Sequence, residues 1–111
     1  MTKNNGINDF LNSLPAAKRQ DILEQFRESF DDHRQKCISA FNSKDFKALR
    51  AGAHDLKTLS RLIGSKDLGD MCEKIEIGAL NEDPDLYALQ ENFSRTSADV
   101  DSELHKFRLA E

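Results

Sequence analysis

The sequence predicts an all-α protein, an up-down antiparallel four-helix bundle with a short extra helix at its N-terminal end. Glycine and proline are scarce, with five and two residues respectively among 111. Between them, apolar side chains recur at steps of three and four, and no stretch alternates long enough to indicate a strand. The connections are short, which favours antiparallel neighbours.

Pro15 separates the first two predicted helices. Before it, a short amphipathic segment carries Ile7, Phe10, Leu11 and Leu14. A long second helix is expected from about Pro15 to Phe41, because one apolar stripe runs through it. The stripe consists of Ile22, Phe26, Phe30, His33, Cys37 and Phe41. We expect residues 1–6 to be a flexible leader and residues 7–111 to form one domain.

Capping residues delimit the other three helices. Asn42 or Ser43 is the expected N-cap of the third helix, with Gly64 as its C-terminal stop. Ser65 can cap the fourth. The Asp83–Pro84 pair predicts a last helix over about Pro84 to Phe107. The expected inward side chains of the third helix are Phe46, Leu49, Ala53, Leu56, Leu59 and Ile63. Those of the fourth helix are Leu68, Cys72, Ile75 and Ala79, and those of the last helix are Leu86, Phe93, Val100, Leu104 and Phe107.

Charge and composition exclude several classes of function. A net charge of -4 without a basic stripe argues against nucleic-acid binding. The sequence has neither a membrane-length apolar run nor a signal peptide, so we expect a cytoplasmic monomer, and Met1 favours a complete protein. Cys37 and Cys72 are isolated and fall at apolar positions, which is typical of reduced core residues.

Motifs for self-contained chemistry are missing from the sequence. The five glycines form no phosphate-binding loop, and neither a hydrolase motif nor a calcium loop is present. We therefore expect a protein that is not an enzyme and has no cofactor of its own.

His54 is distinguished by its position on the third helix. At about 100° per residue, it falls opposite the core side that Leu49 and Leu56 define. The same face carries Lys47, Arg50, Lys57, Thr58 and Arg61. An exposed imidazole among cations is a usable nucleophile, but it is also an ordinary surface residue, and geometry leaves both interpretations open. His33 is expected at a packed boundary and His105 at a helix end.

The segment around His54 carries a family resemblance. Ala53–Gly64 reads A-H-D-L-K-T-L-S-R-L-I-G and resembles the histidine phosphotransfer (HPt) motif A-H-x-L-K-G-x-[SA]-x-x-[LI]-G. Phe41–Leu49 resembles the family's connector before this helix, and Leu68, Cys72, Ile75 and Glu76 match its L-x-x-x-C-x-x-L-E helix. The resemblance covers about Gln25 to Ala79.

This resemblance implies a phosphorelay carrier. His54 would accept a phosphoryl group from a receiver-domain aspartate of a sensor or hybrid kinase and pass it to a response regulator. Lys57 would support the phosphoryl group, and Glu76 would orient the imidazole. Any magnesium ion would belong to the partner receiver domain. The cations around His54, namely Lys47, Arg50, Lys57 and Arg61, form a basic rim that would attract the acidic pocket of that domain. The partner-binding residues would be Lys47, Arg50, Thr58 and Arg61.

Thr58 departs from the family pattern, which usually has glycine one turn beyond the histidine. A branched side chain there adds bulk beside the nucleophile. The alternative is therefore a degenerate HPt-like module that docks receiver domains or another regulator without efficient phosphotransfer.

Overall fold

The computed structural model describes residues 5–107, and its regular elements within that range are all helical. The α-helices are α1 (Asn5–Asn12), α2 (Arg19–Ser43), α3 (Phe46–Leu62), α4 (Lys66–Leu80) and α5 (Gln90–Lys106). Short 3₁₀ helices at Ala16–Lys18 and Pro84–Leu89 precede α2 and α5. The all-α prediction is confirmed. Among the described helices, none combines the length and apolar character needed to cross a membrane.

Helix α3 packs between α2 and α4, and α5 lies against α2 and α4. Contacts between α2 and α5 show that these two helices are antiparallel. Arg27, early in α2, bonds to the carbonyl of Leu104 late in α5, whereas the later Arg34 bonds to the earlier Ser97. This pairing agrees with the up-down order of four helices, which remains a prediction.

The core is formed by the apolar stripes of all five helices. The two cysteines are fully buried and unpaired, as the sequence predicts, and burial raises the pKa of each thiol to about 12. At the start of α2 the stripe is shifted by one residue: Leu23 is buried and Ile22 only half-buried. Three other predicted inward side chains, Phe46, Leu59 and Val100, are partly buried and pack against the core. At this end of α2 the incoming α1 covers the helix, with the Phe10 and Phe26 ring centroids 5.5 Å apart. The fully buried large side chains are Phe30, Phe41, Phe93, Leu11, Leu49, Leu56, Leu68, Ile75 and Leu104, with Cys37 and Cys72.

Asp45 is the N-cap of α3, so the prediction of Asn42 or Ser43 is wrong. Helix α2 continues through both of those residues and ends in Lys44, whose φ of 56° is left-handed. Asp45 is then the first extended residue, and its carboxylate accepts a hydrogen bond from the Ala48 backbone N–H at 3.0 Å. The charge also opposes the positive end of the helix dipole.

Other predicted boundaries are partly corrected. The segment from Pro84 does not begin as an α-helix: Asp83 accepts a hydrogen bond from the Asp85 N–H, and a 3₁₀ helix follows. Ser65 occupies the N-cap position of α4 without a side-chain capping bond. Gly64, with a φ of 74°, ends α3 as predicted.

The expected flexible leader 1–6 and the domain bounds 7–111 remain predictions. Helix α1 begins at Asn5, inside the expected leader, while residues 1–4 and 108–111 lie outside the described residues. The second helix is preceded by the turn at Ala16–Lys18 and becomes α-helical only at Arg19, because the chain leaves Pro15 in an extended conformation.

We expect Asp45→Ala to lower the free energy of unfolding by about 0.5–2 kcal/mol, because it removes the capping bond to Ala48. Urea denaturation followed by circular dichroism measures this. Ser65→Ala is the matched control, since Ser65 occupies the same cap position on α4 but makes no capping bond. Equal losses in the two variants would contradict the assigned cap.

Candidate functional site

His54 lies on the outer side of α3. Leu49, Ala53 and Leu56 on the same helix are completely buried, whereas the His54 side chain is 58% exposed. Because one residue advances an α-helix by about 100°, the core positions turn His54 outward. The exposure predicted from the spacing is confirmed.

Helix α4 contributes one carboxylate to this position, that of Glu76. Its Oε2 lies 2.8 Å from Nδ1 of His54, and its Oε1 lies 2.6 Å from Nζ of Lys57. The side chains of Glu76 and Lys57 are only 20% and 17% exposed. The two helices are antiparallel here, since Arg61, further along α3, reaches the earlier Glu73 of α4. The structure therefore brings together the three residues that the sequence singled out as the central site.

The charge state of Glu76 determines the tautomer of His54. Lys57 is the main cause that lowers the pKa of Glu76; partial burial opposes this, and the bond with His54 adds to it. Glu76 is thus ionised near neutral pH, and a carboxylate only accepts hydrogen bonds. In the neutral imidazole the proton must therefore lie on Nδ1, which leaves the Nε2 lone pair facing outward for nucleophilic attack.

The other cations of the predicted rim differ in their pairing. Lys47 and Arg50 are exposed, and neither makes an ion pair with another residue of the described range. Arg61 is also exposed, but its guanidinium lies 3.4 Å from Glu73 and 3.9 Å from Asp70 on α4. The rim is therefore uncompensated on one side of His54 and neutralised on the other.

Thr58 is exposed one turn after His54. Its Oγ1 donates a hydrogen bond to the His54 carbonyl oxygen at 3.3 Å, a common arrangement for a threonine inside a helix. The hydroxyl proton is thus directed along the helix, and the side chain adds bulk beside the imidazole.

Sequence reasoning missed the two acidic residues of α4, Asp70 and Glu73, that face Arg61. The detectable signal is their three-residue spacing, continued by Glu76 three residues later, which aligns the carboxylates on one side of α4. Arg61 can cross α4 because Gly69 has no side chain; a Cβ there would lie 3.0 Å from Arg61 Cγ.

His33 lies away from this site, between α2 and α3. Its side chain is 22% exposed, and Nδ1 lies 3.8 Å from Oδ2 of Asp55. The predicted boundary position is confirmed. His105, at the end of α5, is 3.5 Å from Asp101. Within residues 5–107, no cluster of three potential metal ligands occurs.

The lowered pKa of Glu76 predicts a pH-dependent contribution to stability. A carboxyl group whose folded-state pKa lies below the ordinary 4.5 stabilises the fold above that pH, and this contribution is lost as the pH falls through the folded-state pKa. The excess stability of the wild type over Glu76→Gln should therefore shrink on acidification. Urea denaturation at a series of pH values from neutral to acid checks this.

The matched control for this titration is Glu28→Gln, which changes an exposed glutamate on α2. The difference in the free energy of unfolding between the wild type and Glu28→Gln should vary less with pH than the difference between the wild type and Glu76→Gln. An excess stability over Glu76→Gln that is independent of pH would contradict the assigned ion pair.

Comparison with protein families gives a match over most of the chain. The family model described as Hpt domain matches residues 21–107, which is most of the chain and includes all of α3, α4 and α5. No curated protein and no solved structure matches the chain significantly. Hpt domains are phosphocarrier modules that interact with the kinases and response regulators of two-component signalling. The outward imidazole, its carboxylate partner and the family match lead to one conclusion: this chain belongs to the Hpt domain family.

Proposed function

We propose that this protein is a phosphorelay intermediate that carries a phosphoryl group on Nε2 of His54. The group comes from a receiver-domain aspartyl phosphate of a sensor or hybrid kinase and passes to the aspartate of a response regulator. The observation that carries the proposal is the hydrogen bond of His54 Nδ1 to Glu76, because it leaves Nε2 as the free nucleophile on the exposed side.

The proposed transfer takes place at Nε2. The Nε2 lone pair attacks phosphorus, the N–P bond forms, and the bond from phosphorus to the aspartyl oxygen breaks with the electrons leaving on the carboxylate. The ring keeps its proton on Nδ1 and gains a positive charge, which the Glu76 carboxylate offsets. Passing the group to the next aspartate reverses these steps.

Lys57 has two roles in the proposed reaction. Its ammonium carries three donors, of which one is directed at Glu76 in the resting state. One turn from His54, a remaining donor can meet the oxygens of the incoming phosphoryl group and offset their charge. A divalent magnesium ion, where the reaction uses one, is supplied by the partner's acidic pocket.

We expect His54→Gln to abolish phosphate acceptance and to change the free energy of unfolding by no more than about 0.5 kcal/mol, because the side chain is exposed. Incubation with a phosphorylated receiver, followed by detection of acid-labile phosphate, measures acceptance. His105→Gln, which removes an exposed histidine remote from the site, should accept phosphate like the wild type. Phosphate on the His54→Gln variant would refute the acceptor assignment.

Thr58 distinguishes an efficient carrier from the degenerate binding module. Since the Thr58 hydroxyl already bonds to the His54 carbonyl, we attribute its effect to bulk, and Thr58→Gly should accelerate transfer. The same change should lower stability by roughly 0.5–1 kcal/mol, as glycine does inside helices. Transfer kinetics and thermal melts measure the two effects.

Thr58→Ser is the matched control, because it keeps the hydroxyl and removes one methyl group. Its rate should lie between those of the wild type and Thr58→Gly. A slower Thr58→Gly protein would show that the hydroxyl assists the reaction, and receiver binding without any transfer would favour the docking module.

A further inference from the structure

A second histidine, His33 on α2, faces a carboxylate of α3. Its Nδ1 is buried and makes no hydrogen bond within the part of the chain that the structure describes. This nitrogen lies 3.8 Å from Oδ2 of Asp55, which is too far for a hydrogen bond. A buried polar atom without a partner is uncommon in folded proteins, so the arrangement requires a physical reason.

Asp55 places a negative charge directly beside the candidate site. It follows His54 on α3, and its side chain is 53% exposed. The residues one turn away from it on the same helix are uncharged, namely Ala51, Gly52, Thr58 and Leu59. Within residues 5–107, the one ion-pair contact of Asp55 is that with His33. The compensation of its charge therefore depends on the protonation of that imidazole.

The side chains of His33 and Asp55 have room to approach each other. Both line an open groove of about 420 Å³ between α2 and α3. Ala51 and Gly52 also line the groove and are too small to fill it. Rotation of either side chain can therefore shorten the 3.8 Å separation without displacing a residue of the core.

The other ionisable groups near His33 have partners of their own or are neutral. Lys36 pairs with Asp32 at 2.9 Å on the exposed side of α2, and burial raises the pKa of the Cys37 thiol to about 12. On the side of α2 that packs against α5, the interacting groups are Asp31, Arg34, Asp101 and His105. Asp55 is thus the charged group that meets His33 from α3.

We propose that His33 controls the charge of the surface beside His54 through Asp55, and that this charge changes with pH. When the imidazole takes a proton from water, both ring nitrogens become donors, and Nδ1 can donate to the Asp55 carboxylate. The ion pair then links α2 to α3 and compensates the negative charge next to His54. As the pH rises and the imidazole loses this proton, the pair is lost and Asp55 is again an uncompensated anion.

An uncompensated Asp55 opposes phosphotransfer. The incoming phosphoryl group and the pocket that carries it are negative, so a carboxylate at the next position of the helix repels them. Protonation of His33 removes this repulsion. This consequence rests on the proposed function and adds regulation to the same site, whereas the ion pair is a property of the fold.

Urea denaturation of the wild type, His33→Gln, Asp55→Asn and the double variant tests the ion pair. The coupling between the two substitutions should favour folding of the wild type about threefold near pH 5.5 and should vanish near pH 8. The advantage of the wild type over Asp55→Asn alone should fall in the same direction, so the test does not depend on the folding of His33→Gln. A coupling that is equal at the two pH values would overturn the proposal.

Transfer kinetics test the consequence for the site, with kcat/KM measured from a phosphorylated receiver that serves the wild type. Asp55→Asn should be about threefold faster than the wild type near pH 8 and equal to it near pH 5.5. The ratio of the two rates cancels the titration of His54, which both proteins share. In the His33→Gln background, the Asp55→Asn advantage should be the same at both pH values.

The matched control is Asp99→Asn, which neutralises an exposed carboxylate on α5. It should transfer like the wild type at both pH values. An Asp55→Asn advantage that does not change with pH in the otherwise wild-type protein would overturn control by His33. A wild type that receivers do not phosphorylate would overturn the proposed function, while the denaturation experiment would still decide on the ion pair.

Discussion

The site depends on a single carboxylate that two residues of α3 share. Glu76 is supplied by α4, and its two oxygens are taken by His54 and Lys57, three residues apart on α3. Positions at this spacing lie on one helical face, so one side chain from the neighbouring helix can reach both. The ammonium keeps the carboxylate ionised, and the ionised carboxylate keeps the imidazole proton on the inner nitrogen. In the neutral imidazole, the nitrogen on the outer side therefore keeps its lone pair free.

A second set of polar contacts holds α5 in place against α2. The guanidinium of Arg34 donates to the Ser97 hydroxyl and the Ser94 carbonyl, and that of Arg27 donates to the carbonyls of Leu104 and Phe107. Arg27 thereby donates to two carbonyl oxygens at the C-terminal end of α5. The position of α5 is therefore fixed by directional bonds as well as by apolar packing.

The sequence predicted those features that depend on helical period alone. The exposure of His54, the burial of both cysteines and the stop at Gly64 each follow from spacing or from a single residue's conformational preference. Asp45 was missed because Asn42 and Ser43 are equally good caps, and only the extension of α2 to Ser43 excludes them. The 3₁₀ segment after Pro84 was missed because its apolar spacing resembles that of an α-helix.

Pairing between helices could not be predicted, because it depends on distances that a sequence does not contain. Lys57 and Arg61 share one face with Lys47 and Arg50, and only the approach of α4 decides which of them meet carboxylates. Gly69 lies beneath the Arg61 side chain and leaves room for it. The division of the basic rim into a compensated and an uncompensated half is thus a property of the folded chain.

The 58% exposure of the His54 side chain has a consequence for the duration of a signal. An imidazole open to partners is equally open to water, and exclusion of water is the usual means by which proteins protect reactive intermediates. A phosphoryl group held at this position would be preserved by the intrinsic kinetics of its N–P bond. The lifetime of the phosphorylated state would then be set by the rate at which the next protein binds. It would therefore depend on the concentration of that partner.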